Sequence, residues 1–273
     1  MKNQLLFNFA KILFRKMSFR MAAFAVLTLL SVQHSFAQQW GILGNDTEIS
    51  PSTTNVSTYP YIAVVGDVPY VVYTEGSGLS GIAKVKKRNT DGTWSQVGSD
   101  LSATAVSFTR IYRDGNGKLY VGYLDNANGT KLAVKTFDGS DWVAVETNPS
   151  NNIYASAGTA DIGATPAGST TIRYEMAFDS NNVPYIAYSE ATHPVVKKLL
   201  NGAWTAVGTL SATDISTGNG IALDSNNVPY IVYINTAGAN NGPIKVLRFD
   251  GSSWADVSPI SPVGTAPTTN VRH

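Results

Sequence analysis

The sequence predicts an all-β fold, a β-propeller built from four-stranded antiparallel blades, and three observations predict it. The decamer DSNNVPYIAY at 179–188 returns as DSNNVPYIVY at 224–233, an offset of 45 residues that marks a tandem repeat. Trp40, Trp94, Trp142, Trp204 and Trp254 follow one another at spacings of 54, 48, 62 and 50 residues. The composition, 43% hydrophobic against 14% charged with 24 glycines and 13 tyrosines, supplies short strands and tight turns. Antiparallel units of roughly 40 to 50 residues with four strands each are propeller blades.

The first 37 residues stand outside that repeat. Lys2, Lys11, Arg15, Lys16 and Arg20 form a basic lead without an acid. The apolar run Met21 to Val32 follows, and then the small-x-small pattern Ser35-Phe36-Ala37. This is the order of a secretory signal peptide, and a run of this length falls short of the roughly 20 apolar residues that span a bilayer. The long basic lead leaves Met1, Met17 and Met21 as candidate starts. Residues 38–273 are then the mature domain, with no transmembrane segment expected in it.

Four runs recur in each unit, and each reads as a strand. The first is YIAVV at 61–65, FTRIYRD at 108–114, IRYEMAFD at 172–179 and NGIALD at 219–224. The second, tyrosine-rich run is VPYVVYTE at 68–75, KLYVGYLD at 118–125, VPYIAYSE at 183–190 and VPYIVYIN at 228–235. The third is IAKVKKRN at 82–89, KLAVKTF at 131–137, VVKKLL at 195–200 and IKVLRF at 244–249. A DG or NG turn then leads to the tryptophan of a fourth, outermost strand, so the units end near Trp94, Trp142, Trp204 and Trp254. The turns DSNNVP, DGNGK and GDVP place Asn, Asp or Gly where a tight hairpin needs positive φ. Several runs are apolar at consecutive positions, as in strands covered on both faces.

D-x-N-N-x-P-Y-I-A-Y, then K-x-F-D-G-S-x-W, then V-G, together resemble the tandem propeller repeats of secreted bacterial surface proteins associated with type IX secretion, here without a sorting domain. The resemblance covers residues 39–258 and implies the blade fold and export; it implies no particular activity. The DG-x-x-W turns are partly similar to the Asp-box of sialidase-type propellers. Asp138-Gly139 and Asp250-Gly251 are adjacent, however, where the Asp-box separates the two by one residue. Shared hairpin physics accounts for that likeness.

Two stretches break the repeat. About 147–170 is a long Asn-, Ser-, Gly- and Thr-rich connection between the second and third units, of a kind that is functional or disordered. Pro267-Thr268-Thr269-Asn270-Val271 echoes Ser52-Thr53-Thr54-Asn55-Val56, so a partial fifth unit is expected at 267–273, with Trp40 as a lone outer strand. The alternatives are a piece of a longer propeller, four blades closing with irregular ends, or self-association through open blade edges.

One polar position recurs with the repeat. Five residues after Tyr70, Tyr120, Tyr185 and Tyr230 stand Glu75, Asp125, Glu190 and Asn235, each opening the loop between second and third strands. With His193, and with Asn126, Asn128, Asn240 and Asn241 nearby, they form a candidate binding face for sugar hydroxyls or a cation. The competing reading makes each a cap on its own turn. Arg110, Arg113, Arg173 and Glu175 interrupt apolar first-strand runs. Arg110 and Arg173 are candidate anion contacts, or else members of ion pairs at a blade junction. Asp114-x-Asn116 is similar to the start of a calcium loop, but Lys118 occupies the next ligand position, so a turn is expected and no metal.

Composition excludes several classes. Subtracting the five leader cations from 20 leaves 15 Lys and Arg against 19 Asp and Glu, a net of −4 for the mature part. That balance, with no basic run, argues against nucleic acid. There are no cysteines, hence no disulfide, thiolate metal site or cysteine nucleophile. His34 lies in the leader and His273 is the last residue, leaving only His193 for acid–base work. No P-loop, nucleophile elbow or HExxH is present. No cofactor is expected. The sequence favours a secreted, non-catalytic propeller module that binds glycan or protein at the cell surface. The alternatives are a glycan-active propeller enzyme of sialidase or glycosidase type, and a structural part of a longer propeller.

Overall fold

The computed structural model describes residues 49, 56–76, 81–128, 131–145, 174–190, 192–237 and 242–258, all of them within the compact unit Gly44–His273. The leader at 1–37, Trp40, the connection at 147–170, Arg173, Asn240, Asn241 and the echo at 267–273 lie outside the described residues, as does the side chain of Asn128. No described helix is long and apolar enough to cross a membrane.

Among the described residues, sixteen strands form four four-stranded antiparallel sheets. Blade 1 is β1 (Val56–Val65), β2 (Val68–Gly76), β3 (Ile82–Arg88) and β4 (Trp94–Gln96). Blade 2 is β5 (Val106–Arg113), β6 (Leu119–Asp125), β7 (Lys131–Phe137) and β8 (Trp142–Ala144). Blade 3 is β9 (Glu175–Phe178), β10 (Pro184–Glu190), β11 (His193–Leu200) and β12 (Ala203–Ala206). Blade 4 is β13 (Ser216–Leu223), β14 (Pro229–Asn235), β15 (Ile244–Phe249) and β16 (Trp254–Asp256). Every sheet runs in chain order, so each is a meander, and β1 packs on β5 as β13 packs on β9. First strands thus line the hub of a β-propeller and tryptophan strands its rim. Among the described residues the only helical turn is the short 3-10 turn Asn126–Asn128.

The period of two in a strand assigns the tyrosine motif to two different interfaces. Leu119, Val121 and Tyr123 of β6 join the core shared with blade 1, while Tyr120 and Leu124 join the core shared with blade 3. Likewise Ile186 and Tyr188 face blade 2, and Tyr185 and Ala187 face blade 4. The first tyrosine of the motif therefore packs toward the following blade in blades 1 to 3, and the second toward the preceding blade in blades 2 to 4. Gly122 interrupts this pattern for a reason: a Cβ there would come within 2.5 Å of the Tyr174 ring, which is fully buried against it. Among the described residues, β14 is covered on one face only. Ile231 and Tyr233 are 0% exposed toward blade 3, whereas Val232, Ile234 and Ile244 on the other face are 39%, 39% and 64% exposed.

The turns at one end of the blades stitch neighbours together. Asp179 accepts hydrogen bonds from the amides of Asn181 and Val183, and Asp224 accepts them from Asn226 and Val228. Asp114 does the same for Asn116 and Lys118, which makes DGNGK an ordinary Asx-type turn. Asn182 and Asn227 sit at φ 63°, in the left-handed region that asparagine tolerates. Their carboxamide oxygens accept from Gly115 N and Ser180 N of the preceding blade, each at 2.7 Å.

Candidate functional site

The opposite end carries the loops between second and third strands. Backbone bonds join neighbouring blades there: Gly81 and Val106 exchange both their amide bonds, and Ser216 N donates to Thr192 O at 2.8 Å. This is the end at which Glu75, Asp125, Glu190, His193 and Asn235 stand, all of them half-buried.

Each has a local partner. Glu75 accepts from Lys84 Nζ at 2.7 Å across the β2–β3 hairpin. Asp125 Oδ1 accepts from Ala127 N at 3.1 Å and so caps the 3-10 turn that follows. Glu190 accepts from the Tyr188 hydroxyl at 3.2 Å and lies 3.8 Å from Lys197 Nζ. Asn235 Oδ1 accepts from Ile215 N at 3.2 Å and from Ala237 N at 3.1 Å. Asp125 and Asn235 thus each accept from an amide of their own turn. Glu75 and Glu190 instead form ion pairs with the third strand.

Among the described residues, blades 3 and 4 bring two of these five, His193 and Asn235, together on a residue outside the motif. Asp214, 5% exposed, is the shared partner. Its carboxylate accepts from Tyr233 Oη at 2.6 Å, Lys245 Nζ at 2.7 Å and Asn235 Nδ2 at 2.8 Å, while its backbone carbonyl meets His193 Nδ1 at 2.8 Å. A carbonyl can only accept, so in the neutral ring the proton sits on Nδ1 and Nε2 is the acceptor nitrogen. Burial alone would raise the Asp214 pKa, but the bonds from Lys245 and Tyr233 outweigh it and hold the carboxyl below its usual range. Beside this group Ser189 Oγ donates to Ser216 O at 2.9 Å and receives Asn219 Nδ2 at 2.8 Å.

Toward the hub, Arg110 forms an ion pair with Glu175 across the blade 2–blade 3 junction. Its guanidinium also lies 5.2 Å from the Tyr61 ring centroid and 5.9 Å from that of Tyr174. Arg113 is exposed. No group of three or more His, Cys, Asp or Glu residues poised for a metal occurs among the described residues.

Asp214 escaped the motif reading because it lies in a connection. A comparison of connections would have found it: Leu101-Ser-Ala-Thr-Ala-Val106 and Leu210-Ser-Ala-Thr-Asp-Ile215 differ by an acid at the place of Ala105.

Fold and site together define a β-propeller with one polar, half-buried loop face. No protein-family model and no curated protein matches the sequence. Among solved structures it is similar to an endo-arabinanase of glycoside hydrolase family 43 from Bacillus licheniformis, at 15% identity over 72% of this chain and 73% of that one, with a TM-score of 0.39. It is similar also to a Bacillus subtilis arabinanase, at 14% identity over 74% and 76% with a TM-score of 0.40. An exo-β-1,3-galactanase from Phanerochaete chrysosporium matches at 16% identity over 72% of this chain and 48% of that one, with a TM-score of 0.41. The substrates in those names belong to those enzymes.

Proposed function

We propose that the protein is an exported β-propeller that binds glycan through the loop face bearing Glu75, Asp125, Glu190, His193 and Asn235. The observation that carries this reading is the cluster at blades 3 and 4. Carboxylate, amide, imidazole, hydroxyl and ammonium groups stand there side by side, Asp214, Tyr188 and Tyr233 buried and Glu190, His193, Asn235 and Lys245 half-buried around them, with acids and bases balanced. Such a mixture matches sugar hydroxyls, which donate and accept at once, better than it matches a strongly charged ligand. The leader at 1–37 and the resemblance to secreted bacterial surface propellers support a place outside the cell.

A second reading, hydrolysis of the bound glycan, draws on the carboxylates Glu75, Asp125, Glu190 and Asp214 on that same face. Glycoside hydrolysis needs two flanking carboxyls, one of them with a raised pKa to act as acid. Asp214 departs in the other direction.

One assay tests both readings. The chain from residue 38 is screened against arabinan, galactan, mixed-linkage β-glucan and polygalacturonate for binding and for release of reducing sugar. The binding reading expects retention by a neutral polymer. It also expects that retention to fall at least severalfold in a folded Glu75→Gln, Asp125→Asn, Glu190→Gln variant, which preserves side-chain shape. Reducing sugar released by the unmutated chain, and lost in that variant, would replace binding with catalysis. Retention by none of the polymers would reject the glycan reading.

A further inference from the structure

Three first strands carry a bulge near the end that meets the loop face: between Thr58 and Tyr61 in β1, between Ser107 and Arg110 in β5, and between Thr217 and Gly220 in β13. Inside each bulge one residue takes a positive φ, namely Tyr59 at 52°, Phe108 at 53° and Gly218 at 65°. Glycine suits such a position because a Cβ in the left-handed region crowds the following carbonyl. Gly218 demonstrates that this fold accepts it. Blades 1 and 2 nevertheless hold an aromatic side chain at the point where the backbone least tolerates one.

Neighbours clamp the strained residues in place. Tyr59 O accepts from Thr109 Oγ1 at 2.9 Å, and Phe108 O accepts from Tyr174 Oη at 2.8 Å. The two rings touch, with centroids 4.4 Å apart and planes tilted by 34°, and both are half-buried and reached by solvent. Tyr61, two residues after Tyr59 and 38% exposed, has its ring 6.1 Å from that of Tyr112, with Arg110 over it and Glu175 paired to that arginine. Phe108 packs in part against the core between blades 2 and 3; what packing leaves unused is the solvent-reached part of both rings, held at a backbone position that glycine would suit. Strain held by surrounding bonds at a partly open hub is where a ligand contact is expected.

We propose that Tyr59, Tyr61 and Phe108, with Arg110 and Glu175 at their edge, form a carbohydrate subsite at the hub of the loop face, for a neutral sugar unit. The slightly positive C–H face of the sugar stacks on the negative face of a ring. Arg110 donates to one hydroxyl and Glu175 accepts from its neighbour. The arginine's charge is already met by Glu175, so an anionic sugar would have to displace an internal carboxylate. This subsite rests on the glycan reading and extends it from the loop tips to the axis.

Native gels containing arabinan, galactan, mixed-linkage β-glucan or polygalacturonate separate the two ideas. The chain from residue 38 is expected to be retarded by at least one neutral polymer. Tyr59→Gly and Phe108→Gly, which remove a ring and relieve its backbone, are each expected to weaken that retardation roughly tenfold while the β-sheet circular dichroism is retained. Phe108→Leu keeps the apolar volume without the π face and carries the same expectation, should a glycine variant lose its β-sheet circular dichroism. Retardation by a neutral polymer that survives in all three variants overturns the hub subsite and leaves the loop-tip reading standing. Retardation by polygalacturonate alone, abolished by salt, overturns the neutral-sugar assignment. No retardation in any gel rejects the glycan reading itself.

Discussion

At the scale of single residues, the repeated letters divide into those that shape a turn and those that hold the next blade. Asp179 and Asp224 close their own turns, whereas Asn182 and Asn227 reach back to the preceding blade. The tryptophans divide in the same way. Trp142 Nε1 donates to Val97 O at 2.7 Å and Trp254 Nε1 to Val207 O at 2.6 Å, each time the valine three places after the previous blade's tryptophan. Gly98 and Gly208 follow those valines, and a Cβ on either would press into the arriving indole or its Phe249 neighbour. After Val145 the sequence has Glu146 instead, and the indole nitrogen of Trp204 is buried without a hydrogen-bond partner among the described residues. Trp142→Phe and Trp204→Phe both lose indole volume, but only the first also strands a carbonyl. Urea unfolding is expected to find Trp142→Phe more destabilising by about 1 kcal/mol. Equal losses would mean that the bond contributes nothing.

At the scale of the strand, alternation decides what each substitution costs. Ile231 lies against blade 3 and Val232, its neighbour, faces away from it. Ile231→Thr is expected to cost about 2 to 4 kcal/mol by chemical denaturation, because it removes buried methyl groups and buries a hydroxyl. Val232→Thr is expected to stay within about 0.5 kcal/mol. A large loss at Val232 would mean that its face is covered in solution. The strands themselves were legible because a period of two with flanking Asn, Asp and Gly survives in every unit. The tyrosine and tryptophan runs locate the second and fourth strands to within one or two residues. The hub was harder to read. A bulge is one extra residue, and nothing in the string STYPY or VSFTR announces that Tyr59 or Phe108 turns left-handed. The loop face was half legible: Glu75, Asp125, Glu190 and Asn235 follow from the period, but their partners Lys84, Lys197 and Asp214 do not, since pairing across a hairpin or a blade depends on register.

At the scale of the whole molecule, three apolar clusters between successive blades replace a single central core, and tyrosine is their recurring large residue. That makes the fold sensitive to base. Burial pushes the Tyr73 hydroxyl up to about 12, helped by Glu75, and Tyr123 up to about 12, helped by Asp125. Burial raises Tyr112 and Tyr174 well above the usual 10.0, and it raises Tyr233, which also donates to Asp214. A raised pKa in the folded state means that the unfolded chain releases these protons first. Their contribution to stability is therefore complete below about pH 10 and is lost as pH climbs through the folded values. Melting temperature is expected to hold nearly level from about pH 7 to 9 and then to fall steeply toward pH 12, set by many tyrosines together. The phenolate absorbance of the buried tyrosines should appear together with loss of the β-sheet circular dichroism. Phenolate of these buried tyrosines, assigned by the absorbance lost in Tyr→Phe variants, appearing at pH 10 while the sheets persist would mean that their hydroxyls reach water in the folded state, and that the blades are less tightly closed on one another than their packing requires.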